Sequence, residues 1–213
     1  KTNFKKSYIS YQPLGCIVQI MPFNFPFWQV FRFAAPALMA GNVSLLKHAP
    51  SVPGCVELIQ SVFDEAGFSP GIFQHVHVEL EQIEKIVAHS AVQGVALTGS
   101  TAAGMAVGAI SGKHIKTCVL ELGGADPFIV LADADLEAAA TVAVQSRMHN
   151  SGQTCISAKR FILEESIAGP FKKIVKKKLQ KLVVGDPYHP QTNISALARL
   201  DLAEKLQAQV DRS

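Results

Sequence analysis

Apolar and polar positions alternate in blocks along the first 124 residues. Short apolar runs of strand length are separated by longer segments whose apolar residues recur on one face, which is typical of helices. The predicted strands are 14–20, 42–46, 71–78, 92–97 and 116–122. The predicted helices are 27–39, 53–66 and 79–88, and a small-residue helix that follows the segment 98–104 and ends near residue 111. Alternating strands and helices predict right-handed βαβ units, and therefore an α/β fold with a Rossmann-like, doubly wound parallel sheet. Residues 1–12 show no periodicity and predict no element.

The pattern changes in residues 125–213, where predicted strands are fewer. We expect strands at 127–131 and 160–163 and helices at 133–148 and 195–210. A further helix is indicated by an apolar stripe from Phe171 to Leu182 whose opposite face is rich in lysine. Because such a stripe is ordinary for a surface helix, the lysines favour a solvated face over a nucleic-acid or membrane patch. Two domains are therefore predicted, 1–124 and 125–213.

The composition narrows the class of protein. The chain has 213 residues, of which 48% are hydrophobic and 17% charged, and these fractions are ordinary for a globular protein. A net charge of +3 does not argue for nucleic acid or a membrane surface. No apolar run reaches the ~18 residues of a membrane span, and no signal-peptide pattern is seen. The cysteines show no metal-ligand spacing, so we expect no metal site and a reduced, cytoplasmic setting. They are Cys16, Cys55, Cys118 and Cys155.

Three polar residues are candidates for catalysis. Cys155 follows the polar turn 150–154, which suits a nucleophile better than a packing residue. Glu121 ends an apolar strand before a double glycine, so it is either a general base or an exposed strand-end carboxylate. Asn24 lies between two prolines, where its amide is either an oxyanion donor or the N-cap of the helix near Phe27. Together they supply the thiol, carboxylate and amide that carbonyl chemistry requires.

Two further segments are candidates for phosphate or ribose binding. The loop from Gly99 to Gly104 joins a strand to a helix N-terminus, which either binds a phosphate or simply lets the turn close. It is not a P-loop, because Met105 and Ala106 occupy the positions of Lys and Ser/Thr, and it lacks the G-x-G-x-x-G spacing. Lys47 ends a strand and is either a ribose or phosphate ligand or a solvated lysine.

These segments, in this order, resemble the aldehyde dehydrogenase superfamily, most closely its succinate-semialdehyde dehydrogenases. The matching segments are Pro22–Pro26, Leu46-Lys47, Thr98–Ser100 with Gly104, Glu121–Gly124 and Gly152–Cys155, with Lys47–Ala49 and Cys155–Arg160 pointing to the semialdehyde enzymes. The resemblance implies an NAD(P)-binding domain over 1–124 and the first part of a second α/β catalytic domain over 125–213. The family's later Glu-x-Phe-Gly-Pro segment does not occur. We therefore interpret the chain as an internal fragment of a homo-oligomeric enzyme.

The resemblance assigns catalytic roles to the three polar residues. Cys155 would attack the aldehyde and form a thiohemiacetal. The Asn24 amide and the Cys155 backbone N–H would hold its oxyanion, and losing one such donor typically costs roughly 100- to 1,000-fold in rate. Glu121 would activate the water that hydrolyses the resulting thioester.

The resemblance also implies that the cofactor is NAD or NADP. Lys47 would contact the adenosine ribose, Gly99 and Ser100 the pyrophosphate, and the Leu122 backbone the nicotinamide. The full set implied is Phe23, Asn24, Lys47, His48, Ala49, Pro50, Gly99, Ser100, Gly104 and Leu122. Pro50 stands where members strict for NAD often carry a glutamate, so no carboxylate there would repel a 2′-phosphate and we expect NADP to be tolerated.

The substrate is predicted less directly. Arg32 aligns with an arginine that binds the substrate carboxylate in semialdehyde dehydrogenases, although a structural salt bridge is the alternative. His149 occupies the place of a second such arginine, which weakens the case for an anionic aldehyde. Two other functions stay open: a catalytically silent nucleotide-binding fragment, and a cysteine hydrolase that uses Cys155 with His149.

Overall fold

The computed structural model describes residue 3 and residues 5–213. Residues 1, 2 and 4 lie outside the described residues, and with them part of the predicted element-free stretch 1–12. The chain divides into two compact units, Lys1–Leu122 and Gly123–Ser213.

The first unit is built on a five-stranded sheet. Its strands are β1 (Cys16–Met21), β2 (Val43–His48), β3 (Phe73–His75), β4 (Val92–Thr98) and β5 (Thr117–Glu121). All neighbouring strands are parallel, in the order β3-β2-β1-β4-β5. The predicted parallel sheet is therefore confirmed. The connections run outward in opposite directions from β1, so the switch point for ligand binding lies between β1 and β4.

Helices cover both faces of this sheet, as the doubly wound prediction requires. They are α1 (Pro26–Met39), α2 (Pro53–Glu65), α3 (Ile83–Ala88) and α4 (Thr101–Lys113). On one face, α1 and α2 pack against alternate strand residues such as Ile17 and Ala96. On the other, α3 and α4 pack against Val95 and Leu97. Successive residues of one strand thus enter opposite cores, because strand side chains alternate between faces.

Two predicted elements of this unit are shorter in the structure. The strand predicted at 71–78 is only β3, an edge strand whose single partner is β2. The helix predicted at 79–88 begins as a 3₁₀ turn, Leu80–Gln82, before α3. A capping box explains that turn: the Glu79 N–H donates to Gln82 Oε1 at 2.9 Å, and the Glu79 side chain accepts from the Gln82 backbone.

The second unit contains a smaller parallel pair of strands. These are β6 (Asp126–Val130) and β7 (Ala158–Leu163), with helices α5 (Leu136–Met148), α6 (Glu165–Leu179) and α7 (Leu200–Val210). Asp135 caps α5 by accepting hydrogen bonds from Glu137 N and Ala138 N, both at 3.0 Å. The core joins Val130 to apolar residues of α5 and α6. For the part of the chain that the structure describes, no helix has the length and apolar character to cross a membrane.

The last helix starts later than predicted. Its expected first residues, 195–199, precede α7. The Ser195 N–H donates to Ser151 Oγ at 3.1 Å, and the Ala198 N–H donates to Gln153 Oε1 at 3.0 Å. These donors are therefore bound to the turn before Cys155, and α7 begins only at Leu200.

Gly104 gives a test of how tightly α4 packs on the sheet. A Cβ on this buried glycine would lie 2.5 Å from Leu122 Cδ2 and 2.7 Å from Cδ1. We expect Gly104→Ala to lower the free energy of unfolding by about 1–3 kcal/mol, because the Leu122 side chain must leave its position. Urea denaturation of both proteins measures the difference.

Gly112→Ala is the matched control on the same helix. Its added Cβ would meet nothing within 4 Å, so we expect a gain of about 0.5–1 kcal/mol from helix propensity. Equal stability of the two variants would contradict the close packing of Gly104 against Leu122.

Candidate active site

The carboxyl ends of the strands bring most of the predicted site residues of the first unit to one edge. Phe23 and Asn24 follow β1, Lys47 and His48 end β2, Gly99 and Ser100 follow β4, and Glu121 ends β5. Strands of a parallel sheet all end at the same edge, so this grouping follows from the strand order. Asn24 and Gly99 follow β1 and β4, the two strands that flank the switch point.

Backbone contacts hold the ends of β4 and β5 together. The Gly99 N–H donates to the Glu121 carbonyl at 2.9 Å, one residue past the last register pair, Thr98 with Glu121. Ser100 then caps α4, accepting a hydrogen bond from Ala103 N at 3.2 Å. The first N–H groups of a helix have no partner within the helix, so this turn presents donors suited to an anion.

His48 is fixed by the backbone. It is 6% exposed, the Ala49 N–H donates to its Nδ1 at 2.8 Å, and its Nε2 lies 3.0 Å from the Pro26 carbonyl. Nδ1 therefore carries the lone pair and Nε2 the proton. Burial lowers the pKa of His48, more than its hydrogen bonds to backbone carbonyls raise it. Both ring nitrogens are engaged, so a cofactor could use only the backbone of this residue.

Asn24 is not the N-cap of α1. The cap position is Phe25, and Pro26 begins the helix. The N-cap alternative for Asn24 is therefore wrong, because the helix begins at Pro26, one residue before the predicted Phe27, and its cap position falls on Phe25. Asn24 itself is half-buried after the end of β1.

Arg32 of α1 and Glu121 of β5 form an ion pair across the edge of the sheet. Arg32 Nη2 lies 3.9 Å from Glu121 Oε2, and both side chains are substantially exposed. They line a cavity of about 180 Å³ with residues of β1, β4, β5 and α1. The other lining residues are Met21, Phe33, Ala96, Leu97, Thr98 and Val119. The guanidinium thus has an acidic partner within the chain, and both charges border open space.

Cys155 follows a turn of unusual backbone conformation in the second unit. A short 3₁₀ segment, His149–Gly152, contains three successive residues with positive φ: Asn150 (52°), Ser151 (55°) and Gly152 (80°). Glycine adopts this region freely and asparagine readily, whereas serine does so at a cost. Such strain clusters at functional sites. The half-buried Cys155 follows three residues after Gly152.

Hydrogen bonds brace the segment around Cys155 on both sides. Thr154 Oγ1 donates to the His149 carbonyl at 3.1 Å, and Ser157 Oγ donates to the Thr154 carbonyl at 3.0 Å. Arg147 Nη1 donates to Ser157 Oγ at 3.0 Å, and the Lys159 ammonium binds the Cys155 carbonyl. Among the described residues, no backbone carbonyl accepts a hydrogen bond from the Cys155 N–H.

Some of these bracing residues were not predicted as functional. Arg147, Ser157 and Lys159 position the cysteine segment. Ser157 and Lys159 lie in the Cys155–Arg160 stretch quoted for the family resemblance, whereas no sequence signal pointed to Arg147. His149 is exposed at the start of the turn. Cys155 belongs to the second unit, and Asn24 and Glu121 to the first. Their convergence therefore stays a prediction from the sequence.

A doubly wound parallel sheet with polar side chains at its switch point defines an α/β protein of the nucleotide-binding class. The aldehyde dehydrogenase family model matches residues 2–213. The chain belongs to the aldehyde dehydrogenase family.

Curated relatives share this assignment. The chain is 50% identical over 212 residues to a probable succinate-semialdehyde dehydrogenase of the NADP(+) type from Synechocystis, which covers 100% of this chain and 47% of the relative. It is 46% identical over 209 residues to the Escherichia coli succinate semialdehyde dehydrogenase Sad, of the NAD(P)+ type. This match covers 98% of this chain and 45% of the relative. The chain thus spans about half the length of the curated relatives it matches.

Solved structures agree with the fold. The succinic semialdehyde dehydrogenase of Streptococcus pyogenes in complex with NADP+ superposes with a TM-score of 0.91 at 34% identity, covering 94% of this chain and 44% of that one. An aldehyde dehydrogenase C variant from Pseudomonas syringae, complexed with NAD+ and octanal, gives a TM-score of 0.90 at 28% identity. The match covers 94% of this chain and 41% of that one. Similar structures therefore include complexes with either dinucleotide and a neutral aldehyde.

His48 makes the stability of the first unit depend on pH. Because its pKa is lowered from 6.5 in the folded state, the unfolded chain binds more protons as the pH falls below 6.5. The contribution of His48 is complete above about pH 6.5 and is lost progressively down to the lowered pKa. We expect His48→Gln to reduce the loss of unfolding free energy between about pH 7.5 and pH 5.5.

Denaturation at the two pH values gives the slope for each protein. His89→Gln, which makes the same exchange at an exposed histidine, is the control for the substitution itself. A slope for His48→Gln equal to that of the unsubstituted protein would rule out a buried neutral His48.

Proposed function

We propose that this protein oxidises an aldehyde to the carboxylic acid with NAD or NADP, and that the substrate is succinate semialdehyde. The observation that carries the proposal is the Arg32–Glu121 pair beside a cavity at the carboxyl edge of a doubly wound sheet. It supplies a carboxylate for general-base chemistry and a cation for an anionic substrate. The family assignment and the names of the curated relatives support the same reaction.

The residues at the edge of the sheet fit a dinucleotide. The N-terminus of α4 offers backbone donors at Gly99 and Ser100 for the pyrophosphate. Lys47 is half-buried at the end of β2, and among residues 3 and 5–213 it forms no salt bridge that would occupy its ammonium group. Gly104 lets α4 approach Leu122, whose backbone would face the nicotinamide. The other residues of the proposed cofactor site are Phe23, Asn24, His48, Ala49 and Pro50.

Pro50 bears on the choice of dinucleotide. It is exposed after β2 and carries no charge, so it would not repel a 2′-phosphate near Lys47. We therefore propose that both NAD and NADP are accepted. A bound nicotinamide supplies the acceptor for the hydride that converts the thiohemiacetal into a thioester.

The protein groups perform the remaining steps. The Cys155 thiol releases its proton to solvent and attacks the aldehyde carbon as the thiolate. The carbonyl oxygen becomes an oxyanion held by the Asn24 amide and the Cys155 N–H. The braced turn around Cys155 orients the thiol, which keeps the entropic cost of attack low. Glu121 then takes a proton from the water that attacks the thioester. The C–S bond breaks, the carboxylic acid is released, and the departing thiolate takes up the proton to restore the thiol.

Arg32 would bind the distal carboxylate of the substrate. An exposed ion pair such as Arg32–Glu121 is worth only about 0–1 kcal/mol. A hydrogen bond to a charged group contributes about 1.5–3 kcal/mol when well formed. A substrate carboxylate can therefore displace Glu121 from Arg32 and leave the glutamate to act as a base. His149 is the second candidate for contact with the substrate.

Arg32→Ala tests the choice of substrate. We expect KM for succinate semialdehyde to rise by at least about 10-fold, the lower end of a lost charged hydrogen bond, while KM for butanal changes little. Butanal has the same carbon chain without the carboxylate. Steady-state formation of NAD(P)H measures both.

Arg212→Ala is the control, because Arg212 is exposed near the end of the chain. Equal effects of Arg32→Ala on the two aldehydes would show that Arg32 serves the structure through Glu121.

Turnover with NAD and none with NADP would refute the proposal that both dinucleotides are accepted.

Cys155→Ser and Glu121→Gln separate the two half-reactions. We expect Cys155→Ser to abolish formation of NAD(P)H. Glu121→Gln should keep a single-turnover burst and slow the steady state by about 100- to 10,000-fold, because only the thioester hydrolysis needs the base. Rapid-mixing absorbance measures burst and steady state together, and Cys55→Ser on α2 is the control.

The burst, together with measurements of NADP binding and of ester cleavage, distinguishes the other two functions. A silent nucleotide-binding fragment would bind NADP yet give no burst with the unsubstituted protein. A cysteine hydrolase would cleave esters without dinucleotide and would lose that cleavage in His149→Ala.

We expect the complete enzyme to be a homo-oligomer, which light scattering of the active protein would test.

A further inference from the structure

Three potential metal ligands lie together on the first unit, among residues to which the proposed reaction gives no role. Glu57 Oε1 is 3.4 Å from His75 Nε2 and 3.6 Å from His77 Nε2. One ligand atom from each residue lies within 4.8 Å of the other two. The two imidazole rings are 5.1 Å apart in an edge-to-face arrangement at 74°. No other residue groups in the described part of the chain meet this ligand spacing.

The fold explains why the three residues meet. His75 ends β3, and His77 follows two residues later. Side chains two residues apart along a strand direction point to the same side. The Val76 N–H donates to the Leu46 carbonyl at 2.9 Å, which continues the pairing of β3 with β2 between the two histidines. Glu57 lies in the second turn of α2. The His-x-His pair is thus held by the sheet and the carboxylate by a helix.

The spacing suits a shared cation better than a hydrogen bond. Protein N–H···O bonds are typically 2.7–3.2 Å long, and both Glu57–imidazole distances exceed that range. Ligands about 2.0–2.1 Å from Zn²⁺ in tetrahedral geometry lie about 3.3 Å from one another. His75 faces Glu57 with Nε2, while its Nδ1 is buried without a hydrogen-bond partner among the described residues. Glu57 and His77 are largely exposed and can adjust to a cation.

We propose that Glu57, His75 and His77 bind a divalent transition-metal ion of the Zn²⁺ class. Two imidazoles and one carboxylate are a ligand set that Zn²⁺ uses in proteins, with the fourth position left to water. The oxygen-preferring Mg²⁺ and Ca²⁺ are disfavoured, because two of the three ligands are nitrogens. The site shares no residue with the proposed reaction, and within the first unit β3 and β5, the strand that carries Glu121, lie at opposite edges of the sheet.

The chain contains its own comparison for this cluster. Glu84 also contacts two side chains, Lys113 at 2.6 Å and His114 at 3.2 Å. There a lysine ammonium occupies the carboxylate, and the ammonium has no lone pair to offer a metal. We therefore expect the Glu84 group to bind no cation, which makes His114 a matched control.

Titration of the protein with zinc chloride tests the proposal. The protein is prepared without a histidine tag, and its thiols are first alkylated so that cysteines cannot bind the metal. Calorimetry should show saturable binding of one Zn²⁺ per chain. His77→Ala and Glu57→Gln should each weaken it by at least about 10-fold, since even removal of an outer-shell partner costs 10- to 100-fold. His114→Ala should bind as the unsubstituted protein does.

The bound geometry is checked with Co²⁺ in place of Zn²⁺. Its visible absorption should have the intensity of a four- or five-coordinate nitrogen–oxygen site and should be lost in His77→Ala. Absence of saturable one-to-one binding, or equal affinity of His77→Ala, Glu57→Gln and the unsubstituted protein, would overturn the site. Both variants change exposed side chains, and unchanged circular dichroism confirms that they fold. The readout is metal binding, so it is independent of whether the proposed oxidation occurs.

Discussion

The fold of the first unit depends on the pairing of β1 with β2 on one side and β4 on the other. Val18 and Gln19 of β1 are both fully buried, and the Gln19 amide donates a hydrogen bond to Ser44 of β2. A slip of one residue would exchange the residues that enter the two cores and would break this buried contact. The register therefore fixes which strand ends, and which polar side chains, flank the switch point.

The two units position their chemical groups by different means. At the sheet edge, Asn24, Gly99 and Glu121 are placed by strand ends, so their positions follow from parallel pairing. Cys155 is placed by a local turn with left-handed backbone and by the Thr154 and Lys159 hydrogen bonds. A sheet edge tolerates variation in side chains, whereas the turn depends on particular residues. Cys155, the proposed nucleophile, is thus held by the more demanding of the two arrangements.

The sequence predicted the elements of the sheet because their apolar residues repeat with a clear period. It overestimated β3 and α7, because an edge strand with one partner and the contacts of residues 195–198 to the Cys155 turn leave no trace in periodicity. The strand-end positions of Glu121 and Lys47 could be predicted from order alone. The Arg32–Glu121 pair and the Glu57, His75 and His77 group could not, since each joins residues separated along the chain. The neutral tautomer of His48 likewise could not be predicted, because it follows from two contacts, one with the Ala49 N–H and one with the Pro26 carbonyl.

Ser151 shows how the turn before Cys155 limits sequence change. Its left-handed backbone would be relaxed by glycine, as a non-glycine residue there costs roughly 1–2 kcal/mol. Yet its hydroxyl also accepts the Ser195 N–H, 44 positions along the chain. Exchange for glycine would ease the torsion and release that distant segment, while exchange for a bulkier residue would worsen the torsion. A replacement at this site therefore has to meet two demands at once, the left-handed torsion and an acceptor for the Ser195 N–H.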